Sequence, residues 1–145
     1  MIQRIQTLWL FLAGLLNAGV FYFDVYRGYI NINGADTLVS LRVGPKLFLM
    51  LIAIVMTALP LLAILMFKDR KRQRSMAVVS VVATLSFIAA AMTQVTPFLE
   101  ANAGIANDTY WIGMVLPFIS IVFLVLAIRG INKDQKLVKS LDRLR

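Results

Sequence analysis

The sequence predicts an all-α membrane protein with four transmembrane helices, both termini on the cytoplasmic side and a short β-hairpin in the first outer loop. Three observations lead there. Four long runs hold no charged residue, at 5–23, 47–67, 75–99 and 109–128. Hydrophobic residues make up 60% of the 145, against about 45–50% in soluble domains, and mean hydropathy is +0.81. The fifteen Lys and Arg residues, set against seven Asp and Glu, gather in alternate connecting segments.

The first run, Ile5 to Phe23, spans about 28 Å as a helix, close to the hydrocarbon thickness of a bilayer. It also begins like a secretory signal peptide, with Arg4 as a weak basic start. A signal peptide needs a shorter apolar stretch and a small-x-small cleavage site. Here the apolar stretch continues into Phe21-Tyr22-Phe23, and Leu16 or Asn17 stands where a small residue is required. The segment is expected to remain as the first span.

Basic residues set the orientation. Twelve fall on one side, in Arg4, the Lys68–Arg74 segment and the tail 129–145, while Arg27, Arg42 and Lys46 fall on the other. The positive-inside rule puts the first group in the cytoplasm. Tyr22, Phe23, Tyr26, Tyr110 and Trp111 then form an aromatic belt at the outer interface. A single integral membrane domain accounts for residues 1–145.

Lipid supplies no hydrophobic drive between helices, so packing depends on small residues and occasional hydrogen bonds. The third span is rich in Ala, Ser and Thr on more than one face, which predicts contact with at least two other helices. Gly14-x-x-x-Ala18 offers a small-residue face on the first. Asn17 and Gln94 are the most polar residues within their spans, and an interhelical contact is favoured for both over a ligand-facing amide. Pro60, Pro97 and Pro117 are expected to produce ordinary kinks.

The outer loop alternates through Tyr29-Ile30-Asn31-Ile32 and reaches Asn33-Gly34, a hairpin signal. The inner segment KDRKRQR reads first as a topology anchor. Its residues Lys68, Arg70, Lys71, Arg72 and Arg74 are also candidate contacts for anionic lipid headgroups or a partner. The tail adds Lys133, Lys136, Lys139, Arg143 and Arg145 to that set. If helical, it places Leu137, Leu141 and Leu144 on one face as a basic amphipathic helix, with Gly130 as a hinge after the last span. Asn107-Asp108-Thr109 fits a glycosylation pattern too short to weigh.

The segments MIQRIQTLWLFLAGLLNAG, FKDRKRQR and LAIRGINKDQKLVKSLDRLR together resemble an uncharacterised family of short bacterial four-span membrane proteins, a domain of unknown function. The QRIQ start and the K-D-x-x-L-V-x-S-x-D-R-L-R ending bear most of the resemblance. It implies a bacterial inner-membrane location and transfers no catalytic residue. With both ends on one face, the QRIQ segment and the tail are expected to meet, and Asp134 or Asp142 to pair with Arg4.

The chain has no Cys and no His, so disulfides, thiol redox chemistry, Cys/His zinc sites, haem ligation by His and Ser-His-Asp catalysis are excluded. No cofactor or metal is expected. The leading expectation is a non-enzymatic accessory, interaction or assembly subunit, its partners being the bilayer, anionic headgroups and either a membrane-protein partner or further copies of itself. Nucleic acid is disfavoured because no aromatic interleaving accompanies the charge. The alternative is an oligomeric transporter or channel for a neutral or lipid-like solute, since no ionisable side chain lies at membrane depth. An enzyme built on Asp24, Asp36, Glu100 and Asp108 ranks third, as nothing in their spacing brings them together.

Overall fold

The computed structural model describes residues 2–32 and 35–142, with side chains for 5–32 and 35–137. The chain is mostly helical and carries a small sheet. Its elements run α1 (Ile2–Gly19), β1 (Tyr26–Ile32), β2 (Ala35–Leu41), α2 (Leu47–Leu65), α3 (Arg70–Ala101), β3 (Ala106–Tyr110) and α4 (Ile112–Asp142). Segments of α2, α3 and α4 are each long and apolar enough to cross a membrane, whereas the apolar stretch in α1, Ile5–Gly19, is shorter. In these three segments 28–33% of residues are buried within the chain. The remaining apolar surface therefore needs lipid or protein around it.

Helix ends depart from the uncharged runs where local chemistry demands it. α1 stops at Gly19, a weak helix former, and Val20–Phe23 close in turns back onto Asn17, Ala18 and Gly19 carbonyls. Of the basic segment after α2, Lys68 and Asp69 form the turn and the rest is helix. Asp69 caps α3 by accepting from the backbone N–H groups of Lys71 and Arg72, both at 3.1 Å, so Arg70 onward is already helix. Such a cap satisfies donors that otherwise have no intrahelical partner.

At the other end, α4 begins at Ile112 and runs unbroken past Gly130 to Asp142, so Gly130 is not a hinge. It is a close-approach position: a Cβ there would stand 2.8 Å from Gln6 Cγ. The QRIQ segment and the start of the tail meet at this point. Asp134 pairs with Arg70 at 3.7 Å. The Arg4 side chain lies outside the described residues. Pro60, Pro97 and Pro117 all sit inside helices that continue through them.

β1 and β2 form the hairpin, from Tyr26↔Leu41 to Ile32↔Ala35, with Asn33 and Gly34 outside the described residues. A two-stranded hairpin is marginal alone. Here β3 adds to the other edge of β1, giving the antiparallel order β2-β1-β3. Their register slips by one residue between Arg27 and Tyr29. Asn107 lies in the extra stretch at φ 52°, a left-handed conformation that Asn tolerates better than most residues.

The four helices form a ring in which each packs on its sequence neighbours and α1 closes against α4. Two apolar cores fill it. Val20, Met56, Phe87 and Met114 belong to the one beneath the sheet, and Leu10, Ala63, Leu124 and Ile131 to the one toward Gly130. Between them lie buried polar residues. Asn17 Nδ2 donates to the Met56 carbonyl at 2.9 Å and reaches Thr84 Oγ1 at 3.5 Å. Ser120 Oγ donates to the Ala13 carbonyl at 3.2 Å, linking α4 to α1.

The first turn of α4 is pressed against the chain leaving α1. A Cβ on Gly113 would meet the Asp24 and Phe23 carbonyl oxygens at 2.5 and 2.7 Å, while one on Gly44 would meet nothing within 4 Å. Backbone cannot yield as a flexible side chain can. Gly113→Ala is therefore expected to destabilise by about 1–3 kcal/mol although Ala is the better helix former, with Gly44→Ala close to neutral. Thermal unfolding in detergent, followed by circular dichroism, checks the pair.

Candidate functional site

Polar chemistry collects at both ends of the ring. Beneath the sheet, the Asp24 carboxylate is 1% exposed and is held between two guanidinium groups. Arg27 Nε donates to one oxygen and Arg42 Nε to the other. Arg27 also lies over the Trp111 ring at 4.3 Å, a cation–π contact. The Asp24 carbonyl accepts from Gly113 N at 2.9 Å, and Val25 exchanges backbone bonds with Leu41 and Trp111. One short segment thus ties α1, the hairpin and α4 together.

Burial opposes ionisation of Asp24, but hydrogen bonds from Arg42 and Arg27, with their charge, outweigh it and hold the carboxyl below the ordinary aspartate range. Next to it, Tyr26 Oη donates to Asp108 Oδ2. That bond, reinforced by burial and by the Asp108 charge, pushes the phenol up to about 12. Tyr26 packs edge-on against Phe98 and Tyr110. These residues close a cap at the sheet end of the ring. Every charged group at its centre is compensated, which suits a structural joint better than a reactive centre.

The opposite end is basic and less completely compensated. Arg70 donates to the Asp134 carbonyl at 3.3 Å in addition to its ion pair, and Arg72 pairs with Asp69 at 3.1 Å. Gln6 and Gln73, each 4% exposed, line a small cavity with Thr7, Phe67 and Arg70. Gln6 Nε2 is buried there without a hydrogen-bond partner among the described residues. Beside this cavity, Arg74 of α3 and Asn132, Gln135 and Lys136 of α4 line an open groove of about 320 Å³.

The candidates from the sequence separate accordingly. Arg74 and Lys136 come together in the groove. Arg70 and Arg72 are engaged by Asp134 and Asp69. Lys68, Lys71 and Lys133 stand exposed outside the groove lining. The Lys139 side chain is not among those described, and Arg143 and Arg145 lie outside the described residues. Asn17 sits at the bundle centre, whereas Gln94 is half-buried on α3. The groove joins two cationic heads and two amides with no carboxylate in its lining among the described residues, a donor set matched to phosphate oxygens.

The family described as Domain of unknown function (DUF4293) matches residues 2–144. The chain belongs to the DUF4293 family. No curated protein matches it. What this DUF4293 chain does must therefore be argued from its own side chains. Sequence reasoning missed the Asp24 clamp, the Tyr26–Asp108 pair and the buried amides Gln6 and Gln73. Only the i, i+3 spacing of Asp24 and Arg27 hinted at the first.

Asp24 and Tyr26 each give the cap a pH signature. A carboxyl whose pKa is lowered by folding contributes stability that is fully present above its unfolded value of about 3.9 and is lost as pH falls through the lowered folded value. Asp24→Asn should thus lower stability at pH 7 by about 1–3 kcal/mol, with the gap from the native chain closing in acid; melts from neutral to acid pH measure this. For the raised phenol the sign reverses. Its contribution is present below about pH 10 and is lost as pH rises through about 12. Ultraviolet titration should find one of the four tyrosines ionising late, and Tyr26→Phe should remove that step.

Proposed function

We propose that this DUF4293 protein is a non-enzymatic, four-span protein of the bacterial inner membrane, acting as an accessory or assembly subunit through a basic cytoplasmic end. In this reading α1 is the fourth span. It packs along α2 and α4, and its 18 residues give about 27 Å of helix. Both termini then share the side of the basic residues, in keeping with the positive-inside rule.

One observation supports a role for that end beyond anchoring. The last uncharged residue of the fourth run is Ile128, yet α4 continues to Asp142, about 21 Å of further helix. α3 likewise starts before its uncharged run, at Arg70. The Arg70–Asp134 pair and the Gln6–Gly130 contact hold these extensions together. Insertion alone requires charge on this side, not a packed helical platform, so a surface for another molecule is the better account. The transporter or channel reading needs several copies, because Phe87, Met56, Leu10 and Leu124 fill the interior of one ring at 0% exposure.

The native chain lacks Cys, so single-Cys labelling has no background. Lys68→Cys should react only with reagent admitted to the cytoplasmic side, and Asp36→Cys only from outside. Mild extraction with native sizing should then recover a stoichiometric foreign membrane protein, lost or weakened when Lys133 and Lys136 are changed to Gln. A homo-oligomer without a foreign partner would overturn the subunit reading in favour of transport.

A further inference from the structure

We propose that the groove between α3 and α4, lined by Arg74, Asn132, Gln135 and Lys136, binds the phosphate of an anionic glycerophospholipid from the cytoplasmic leaflet. The proposal rests on the orientation argued above and gives the basic end a specific ligand. Arg74 immediately precedes the uncharged run of α3, and Asn132 lies four residues beyond the run of α4. Both helices therefore bring the groove to headgroup depth, where a phosphodiester sits.

Its chemistry fits that group. Two cations and two amides supply donors, and among the described residues no carboxylate lines the space. The nearest acids on the two helices, Asp69 and Asp134, are occupied by Arg72 and Arg70, so neither is left to repel an anion. Neither Arg74 nor Lys136 has an ion pair among the described residues. An Arg guanidinium can take two phosphate oxygens at once, while Lys acts as a point charge.

Below the polar mouth the surface becomes apolar, as an acyl chain requires. Val78 is one helical turn from Arg74 and is 43% exposed; Val125 is two turns from Asn132 and is 36% exposed. Residues at these spacings share a helix face. A free phosphate would use the mouth alone, whereas a lipid would use the mouth and these side chains together. The groove is thus assigned to the lipid.

Native mass spectrometry of the full chain in neutral detergent tests this without reference to orientation. The chain is titrated with phosphatidylglycerol or with phosphatidylcholine of the same acyl chains. One phosphatidylglycerol should be retained ahead of phosphatidylcholine. Arg74→Gln with Lys136→Gln should weaken its retention about thirtyfold, the combined effect of two basic contacts. Lys68→Gln with Lys71→Gln removes the same charge from the same end of the ring, outside the groove, and should change retention less than about threefold. Equal losses from the two pairs would replace the groove with a diffuse field and overturn the proposal. Displacement of the lipid by millimolar glycerol 3-phosphate would do the same by showing that phosphate alone suffices. Helical circular dichroism confirms that each variant is folded. The Cys labelling described above fails separately if the orientation is wrong.

Discussion

A carboxylate taken out of water must be neutralised or paired, since the cost of burying it alone runs to several kcal/mol. Asp24 stands between the first helix and the sheet, and that requirement organises the region around it. Arg27 comes from the start of β1 and Arg42 from just beyond β2. Arg27 reaches Asp24 locally, from three residues along the chain, whereas Arg42 reaches it only if the hairpin folds back with Tyr26 opposite Leu41. A slip of one residue would turn the alternating side chains to the wrong face. The same residue's carbonyl receives the Gly113 N–H, so the start of α4 is set by the chain segment that sets the sheet. The gain in net energy is modest, because Arg42 remains largely exposed and solvent screens its share. Registration is the larger effect.

Farther into the ring the constraint changes. Hydrocarbon favours no particular helix pairing, and small residues only permit close approach. Direction must come from polar groups that have few places to go. Asn17 meets this need by bonding to α2 through the Met56 carbonyl and reaching across the ring to Thr84 on α3. Ser120 binds α4 to α1, whereas Ser80 and Thr84 return their hydroxyls to their own helix at Met76 and Ser80. The former pair specifies neighbours; the latter pair merely hides hydroxyls while keeping the surface slim. Asn17 Oδ1 and Thr57 Oγ1 remain buried without partners among the described residues.

The uncharged runs made the long helices legible because a bilayer imposes both their length and their lack of charge. The helix ends lie apart from the ends of the runs for the same reason. Charge marks where a helix leaves the hydrocarbon, whereas a cap such as Asp69 marks where it starts, and the two differ by a turn or more. The hairpin could be read from alternation around Asn33-Gly34. β3 could not, since Ala106–Tyr110 is exposed along its whole length and contains little that favours a strand except Thr and Tyr. It exists because β1 has a second edge to fill. Gly130 illustrates a further limit: in a sequence, a glycine that bends a helix looks the same as one that lets another helix come close. In the site, the basic residues were visible as a set, but their division into Arg70 and Arg72, already paired, and Arg74 and Lys136, brought together, depends on helix phase and on where the acids fall.

That division has an electrostatic consequence. The N-terminal end of a helix carries partial positive charge and the C-terminal end partial negative charge. Arg70, Lys71 and Arg72 form the first turn of α3, where cations are disfavoured. Asp69 and Asp134 offset part of this through the cap and the ion pairs, yet they leave Arg74 facing Lys136 across the groove. Two like charges drawn toward each other by helix packing raise the energy of the empty site, and an anion between them would lower it. Orientation in the membrane needs only that the positive charges lie on one side. Their convergence on a common groove goes beyond that need, and it ties the packing of the basic end to the chemistry of what it meets there.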